Sequence, residues 1–374
     1  MIFLKALRSM FDATGLVELS AGNIFLIAVG LILVYLAIHK LYEPFLLLPI
    51  GFACIVANLP GTDLLMPSGL FGFFYLGVQK MIYPPLIFLG VGAMTDFGPM
   101  IANPSLLILG AFAHIGIFIA LIGAKLLGFS IFEAGAIGII GGADGPMAIY
   151  VTQQLAPHLM AQVSVAAYSY MALMPLIQPP IMKALTTKQE RNIMMKQLRF
   201  VSRREKIVFS LIITIIIDLL LPPIAPLITM LMLGNLMKES GVVDRLAKTA
   251  SGEFMNVITI LLGLSIGSTM NADTFLQFKT LEIVILGLIA FITGTAGGIL
   301  GAKLLNKLSG GKINPLIGSA GIASVPIAAR VSHKVALEGN QYIFLIMHAM
   351  GPNLAGVFGT AIAGGIMLTL LGMY

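Results

Sequence analysis

Cysteine, tryptophan and charge are what this chain has least of. Among 374 residues Cys54 is the single cysteine, tryptophan is absent, and Asp, Glu, Lys and Arg together make up 10%. One cysteine excludes a disulfide framework and a cysteine metal site. A soluble domain carries about 25% charged residues, so this scarcity means that much of the surface faces lipid. No GxSxG, Walker A or GxGxxG arrangement lies in a suitable strand context, which argues against ATP hydrolysis within the chain. Residues 1–20 lack the apolar run and small-residue cleavage site of a signal peptide. They are expected to form an interfacial helix, with Phe3, Leu7, Met10 and Phe11 opposite Lys5 and Arg8.

Apolar residues fill the space that charge leaves. They make up 58% of the chain, the mean hydropathy is +0.99, and long apolar segments recur to the C-terminus. A hydrocarbon core about 30 Å thick needs roughly 20 apolar residues per crossing helix. The pattern predicts an all-α polytopic membrane protein with ten to twelve membrane-entering segments. The net charge of +6 is not a nucleic-acid footprint, because the basic residues line no single soluble face. Eight of the 22 Lys and Arg lie between Lys183 and Lys206. A basic loop between apolar spans is the positive-inside signal, which puts it on the cytoplasmic side of a bacterial inner membrane.

The chain also repeats itself. Pro49 and Asn58 match Pro226 and Asn235; Gly123-Ala124-Lys125-Leu126-Leu127 recurs as Gly301-Ala302-Lys303-Leu304-Leu305; Ile137–Val151 aligns with Ile317–Val331. The offset is nearly constant, so the expected organisation is an interfacial helix (1–20), a first membrane helix (21–40), repeat 1 (41–184), the basic loop (185–206), a linking helix (207–220) and repeat 2 (221–374). Each repeat reads as about five membrane segments, one of them broken at mid-membrane, with an odd count that makes the halves inverted. The breaks fall at Gly138, Gly141, Gly142, Gly145 and Pro146, echoed by Gly318, Gly321 and Pro326. Interior Gly weakens a helix by about 1 kcal/mol and Pro by about 3. Unwound backbone at that depth survives only where protein or a wet cavity covers it, and paired interrupted helices point to a transporter's binding site.

Asp144 sits inside the first break. A carboxylate at a membrane helix centre costs about 2.5–3.5 kcal/mol, so it requires a partner or an ion. Beside unwound carbonyls it suits a hard cation; the plainer alternative is a cap for the following half-helix. The repeat sets Ser324 opposite Asp144 and Arg330 opposite Tyr150, while Asn314, Ser319 and Ser324 add neutral oxygens. Arg330 can either pair with Asp144 or present its fork to a carboxylate. Tyr168 and Tyr170 follow on the next helix, where packing is the commoner role. Asn353, after Gly351-Pro352, is a weaker ligand candidate. His114, His158 and His348 show no metal-ligand spacing.

Gly141-Gly142-Ala143-Asp144-Gly145-Pro146, Tyr168-Ser169-Tyr170-Met171-Ala172-Leu173, Gln178-Pro179-Pro180-Ile181-Met182, Asn314-Pro315-Leu316-Ile317-Gly318 and Val325-Pro326-Ile327-Ala328-Ala329-Arg330-Val331 resemble the beta subunit of the biotin-dependent sodium-pumping decarboxylases. The resemblance runs from about Tyr42 to the C-terminus. It implies a membrane subunit that decarboxylates carboxybiotin and exports Na⁺, with the biotin held covalently on another chain. The implied partners are a carboxyltransferase alpha subunit, a biotin carrier subunit and a small gamma or delta membrane subunit, in a complex that is also a homo-oligomer. The implied catalytic residues are Asp144, Tyr170 and Arg330, with Arg330 facing carboxybiotin, and the implied Na⁺ ligands are Asp144, Asn314, Gly318 and Ser324. The match departs at the family's serine, which falls on Ala323. Either a shift at the break makes Ser324 its counterpart or the two are not equivalent. A sodium-coupled secondary transporter of an organic anion is the rival reading, since it would share repeats, breaks and a midplane Asp.

Overall fold

The computed structural model describes residues 14–275 and 277–372, and the interfacial helix expected at the N-terminus lies largely outside them. All regular elements among the described residues are helical. In chain order we number α1 (Ala21–His39), α2 (Pro44–Ala57), α3 (Leu70–Gln79), α4 (Tyr83–Met94), α5 (Leu107–Ala113), α6 (Ile115–Leu126), α7 (Ile131–Gly138), α8 (Gly145–Leu155), α9 (Met160–Leu185), α10 (Arg203–Leu220), α11 (Ala225–Ser240), α12 (Met255–Ser268), α13 (Phe278–Leu308), α14 (Ile327–Gly339) and α15 (Ile346–Leu371).

Six helical stretches are long and apolar enough to cross a membrane, and α3 with α4, bent by 71° at their junction, makes a seventh. Their burial separates rim from centre. Only 17% of the Ala21–His39 window is buried, against 61% for Pro157–Leu185 and for Ile346–Leu371. Residues such as Ile24, Leu31 and Ile38 of α1 are left exposed, as a lipid-facing helix requires, whereas α9 and α15 form the interior.

Contacts at helix ends fix the direction of each span. The 26 residues of α9 make a rod of about 39 Å that ends at Lys183 in the basic segment. Antiparallel to it neither in direction nor in reach, α13 starts where Lys279 approaches Glu133 and ends where Lys303 pairs with Glu190 at 3.2 Å. Both run toward the face that bears the basic segment, called here the basic face. In α15 the chain runs the other way, and its last turn brings Leu371 against Gly135. The Gly-Ala-Lys-Leu-Leu copies end α6 at one face and α13 at the other.

Between these spans two segments turn back on themselves. In the first, α7 opens with a Ser130–Glu133 capping box and gives way after Gly138 to a 3₁₀ turn; Ala143 is left-handed (φ 52°), and α8 starts at Gly145. Glu133 at its beginning bonds His158 just past its end, 3.0 Å apart, so the chain leaves by the face it entered. The second begins at Asn314, runs as a 3₁₀ stretch over Pro315–Gly321 and returns as α14. Asn314 is bonded to the backbone of the basic segment, and Glu338 near the end of α14 pairs with Lys183 at 2.6 Å. The two hairpins therefore open on opposite faces and meet in the interior.

Candidate ion site at the crossing of two hairpins

The tips touch through one peptide hydrogen bond, Ala323 N–H to the Gly142 carbonyl, at 2.9 Å. Glycine makes this approach possible. A Cβ on Gly141 would lie 2.7 Å from the Gly116 backbone, one on Gly318 would lie 2.0 Å from the Gly298 carbonyl oxygen, and one on Gly356 would lie 2.4 Å from the Gly321 carbonyl oxygen. The tips are thus wedged against α6, α13 and α15 with backbone on backbone. Carbonyls freed from helical bonding end up beside one another.

Asp144 stands at this point, 6% exposed. It is the N-cap of α8, and its Oδ1 accepts from the Met147 N–H at 3.0 Å. The cap expected as the plainer alternative is therefore formed, and it uses one carboxylate oxygen. No ion pair reaches the carboxylate among the described residues, so the cap alone opposes the cost of burying it.

Buried oxygen and amide groups also hold the backbone of the two hairpins. Asn353 on α15 donates through Nδ2 to the Ala320 and Ile322 carbonyls, at 3.0 and 2.7 Å, while its Oδ1 is buried without a hydrogen-bond partner. Thr360 bonds His114 at 2.8 Å and reaches the Gly142 carbonyl at 3.5 Å. Gln178 donates to the Ser319 carbonyl at 2.9 Å, and its Oε1 also has no partner. Buried acceptors in an apolar interior are costly when unpaired, and those at the crossing provide the carbonyl and carboxylate oxygens that hard cations bind.

The remaining sequence candidates separate. Tyr168 and Tyr170 point different ways: Tyr170 donates to the Val284 carbonyl on α13 and packs on Gly287, whereas the Tyr168 ring lies against Gly145, its buried hydroxyl unpartnered. Tyr168, not Tyr170, is the phenol next to Asp144. Asn314 is fully buried but away from the crossing, roughly 14 Å back along the 3₁₀ rise. Its Oδ1 caps Leu316 N–H, and its Nδ2 donates to the Arg191 and Ile193 carbonyls at 2.9 and 3.0 Å. Gly318 serves a close approach to Gly298, and Ser324 donates to the Met174 sulfur at 3.0 Å. Arg330 is exposed on α14, and among the described residues it forms no ion pair with Asp144. Asn353, a weaker candidate in the sequence, is the side chain that holds the Ala320 and Ile322 carbonyls of the second tip. Its signal was a third Gly-Pro interruption, Gly351-Pro352, in an otherwise apolar helix.

Fold and crossing together define a multi-pass membrane protein with a buried carboxylate held among freed carbonyls. Residues 22–371 match the family described as the Na⁺-transporting oxaloacetate decarboxylase beta subunit, and the chain belongs to that family. It is 57% identical to the glutaconyl-CoA decarboxylase subunit beta of Acidaminococcus fermentans, over 99% of both chains. It is 56% identical to the methylmalonyl-CoA decarboxylase subunit beta of Veillonella parvula, over 99% of this chain and 98% of that one. With the oxaloacetate decarboxylase beta chain of Klebsiella pneumoniae the identity is 47%, over 98% and 99%. The chain is thus a membrane-embedded beta subunit of the Na⁺-transporting decarboxylases, with a decarboxylase and translocase role.

Proposed function

We propose that this chain decarboxylates carboxybiotin delivered by a carrier domain on a partner subunit and couples the reaction to Na⁺ export through the hairpin crossing. The observation that carries the proposal is Asp144: a buried carboxylate with one capping bond and no ion pair among the described residues, at the tip that meets the hairpin whose carbonyls Asn353 binds. Na⁺ held there takes its oxygens from Asp144, Asn353 and the carbonyls of the two tips. Asn314, Gly318 and Ser324 shape the second hairpin around it. Two hairpins that open on opposite faces, with aligned sequences, support reading the halves as inverted repeats. The basic face is the cytoplasmic one.

In the reaction the N–C bond of carboxybiotin breaks, CO₂ leaves and the ring nitrogen gains a proton. One proton is consumed per turnover. Arg330, exposed in the first turn of α14, suits the N-carboxylate. Tyr170 and Tyr168 are the phenols available to pass a proton between the Asp144 region and the departing ring. A carboxyltransferase alpha subunit, a biotin carrier subunit and a small gamma or delta membrane subunit complete the complex, with the beta chain as a homo-oligomer. Family membership favours this over the secondary-transporter reading.

The test is ²²Na⁺ uptake into inverted vesicles that contain the assembled complex, with and without avidin. Avidin-sensitive uptake that Asp144→Asn removes supports the proposal. Uptake that avidin leaves untouched, or that survives Asp144→Asn, overturns it.

A further inference from the structure

The mouth of the second hairpin is covered. Residues 186–193, between the end of α9 and the stretch that leads to α10, are tied to three elements that frame it. Asn314, where the hairpin begins, donates through Nδ2 to the Arg191 carbonyl at 2.9 Å and to the Ile193 carbonyl at 3.0 Å. Glu190 pairs with Lys303 near the end of α13, and Lys303 also donates to the Leu185 carbonyl at 3.1 Å. Where α14 ends, a Cβ on Gly339 would lie 3.0 Å from Asn192 Oδ1. The cover itself is built on a Thr187–Glu190 capping box around the short helix Lys188–Arg191, which buries no side chain. It is fastened by polar bonds and holds little place in the core. Segments with few apolar contacts and exposed hydrogen bonds are the ones that open most readily.

Behind the cover the hairpin is lined with oxygen. Ser319, Ser332, Gln178 and Thr295 are fully buried there. Ser319 Oγ lies 2.8 Å from Ser332 Oγ, and the Gln178 amide donates to the Ser319 carbonyl at 2.9 Å and to Thr295 Oγ1 at 3.4 Å. Gln178 Oε1 is left without a hydrogen-bond partner. Such an acceptor is costly to bury in an apolar interior. Hydroxyl and carbonyl oxygens in a row are also what a hard cation needs as it sheds water. Ser319 is five residues from Asn314 and four from Ala323, so at about 2 Å per residue it stands midway between the cover and the crossing.

From this arrangement we propose that residues 186–193 form a gate at the basic face, latched by the Asn314 amide, over an oxygen-lined route to the crossing. Resting on the function proposed above, this adds where the ion enters and which contacts part to admit it. Asn314 is then a positioning residue that holds the gate, not an ion ligand.

The test uses the assembled complex in inverted vesicles, in a Cys54→Ala background. Asn192→Cys with Gly339→Cys sets two thiols across the seam between gate and hairpin. Oxidation should lower avidin-sensitive ²²Na⁺ uptake by about tenfold or more, dithiothreitol should restore it, and neither single-cysteine variant should respond. Where the two thiols do not oxidise, a short bis-methanethiosulfonate joins them and is read in the same way. Access is measured separately at Ser319→Cys with a cationic methanethiosulfonate added at the basic face. Asn314→Asp keeps the Oδ1 cap on the Leu316 N–H but replaces the latch donor with a carboxylate. It should speed modification of that thiol by about tenfold, the scale of losing two hydrogen bonds from the closed state, and the cross-link should slow it. A cross-linked complex that takes up ²²Na⁺ as fast as the reduced one, or a Ser319→Cys thiol indifferent to both latch and cross-link, overturns the gate and leaves the proposed function standing. A wild-type complex without avidin-sensitive uptake overturns the proposed function itself.

Discussion

The two hairpins share a glycine-rich plan and differ in where they put charge. The first carries Asp144 at its tip and closes its mouth with Glu133, His158 and Lys279. The second has Ser324 at the aligned tip position, and its mouth is held by the neutral Asn314 amide together with the Glu338–Lys183 ion pair. Tip charge on one side only means that one hairpin presents a carboxylate at the crossing and the other presents neutral dipoles. A lone carboxylate can release a monovalent cation; a second one at the crossing would hold it more tightly by adding another full charge. The asymmetry between sequence-related halves is therefore suited to turnover.

The largest expected effect breaks this comparison directly. Asp144→Asn should lower Na⁺ uptake and Na⁺-stimulated decarboxylation more than about 100-fold, the scale of losing a charged contact, with carboxyl transfer to biotin intact. Ser324→Ala, at the aligned position, should change the same rates by less than about fivefold, since it removes only a weak bond to the Met174 sulfur. Equal losses at the two positions would remove the asymmetry.

Packing supplies the next effect. Gly318→Ala forces a Cβ onto a backbone carbonyl and should destabilise the solubilised protein by about 2–3 kcal/mol, in the range of overpacking. Gly142→Ala meets only the Thr360 side chain, at 2.5 Å, and should cost about 1 kcal/mol because that side chain can turn. Thermal unfolding of both variants checks the order.

A smaller, sharper effect distinguishes Asn353 from Asn314. In double-mutant cycles on the Na⁺ activation constant, Asn353→Asp with Asp144→Glu should deviate from additivity by about 1 kcal/mol or more. Asn314→Asp with Asp144→Glu should add within about 0.5 kcal/mol. The reverse pattern would return Asn314 to the ion and demote Asn353 to a brace of the second tip.

The smallest effect concerns the mouth of the second hairpin. Burial pushes the Glu190 carboxyl up, but the Thr187 N–H and Lys303 outweigh it and hold the group below its usual range. A depressed carboxyl adds stability that is present above the ordinary value of 4.5 and is lost as the pH falls through the folded value. Glu190→Gln should thus lower the unfolding midpoint slightly at neutral pH, by no more than about 1 kcal/mol in stability. Wild type and variant should converge in acid.

Much of this architecture was legible in the sequence because it rests on composition and backbone chemistry. Scarce charge and long apolar runs gave the membrane fold, and clustered Gly and Pro marked where helices give way. The repeated Gly-Ala-Lys-Leu-Leu string marked corresponding helix ends. A one-dimensional pattern does not record whether a break continues across the membrane or doubles back; that depends on contacts such as Glu133 with His158, 25 residues apart. Tyr168 and Tyr170 illustrate a second limit. Two residues on one helix stand about 200° apart, so adjacency in sequence puts them on nearly opposite sides, and only the packing of α9 decides which meets Asp144. The place of Asn353 was hidden for the same reason: its bonds reach Ala320 and Ile322, more than thirty residues away.

The hydrogen bond between the tips, from the Ala323 N–H to the Gly142 carbonyl, has an electrical consequence. Where water fills both mouths, conducting solvent reaches inward from each face and the insulating layer shrinks to the thickness of the crossing. The transmembrane voltage then drops over a few ångströms instead of the full bilayer, concentrating the field on the crossing where Asp144 stands. Each positive charge moved across that layer works against about 2.3 kcal/mol per 100 mV, nearly all of it in one short step.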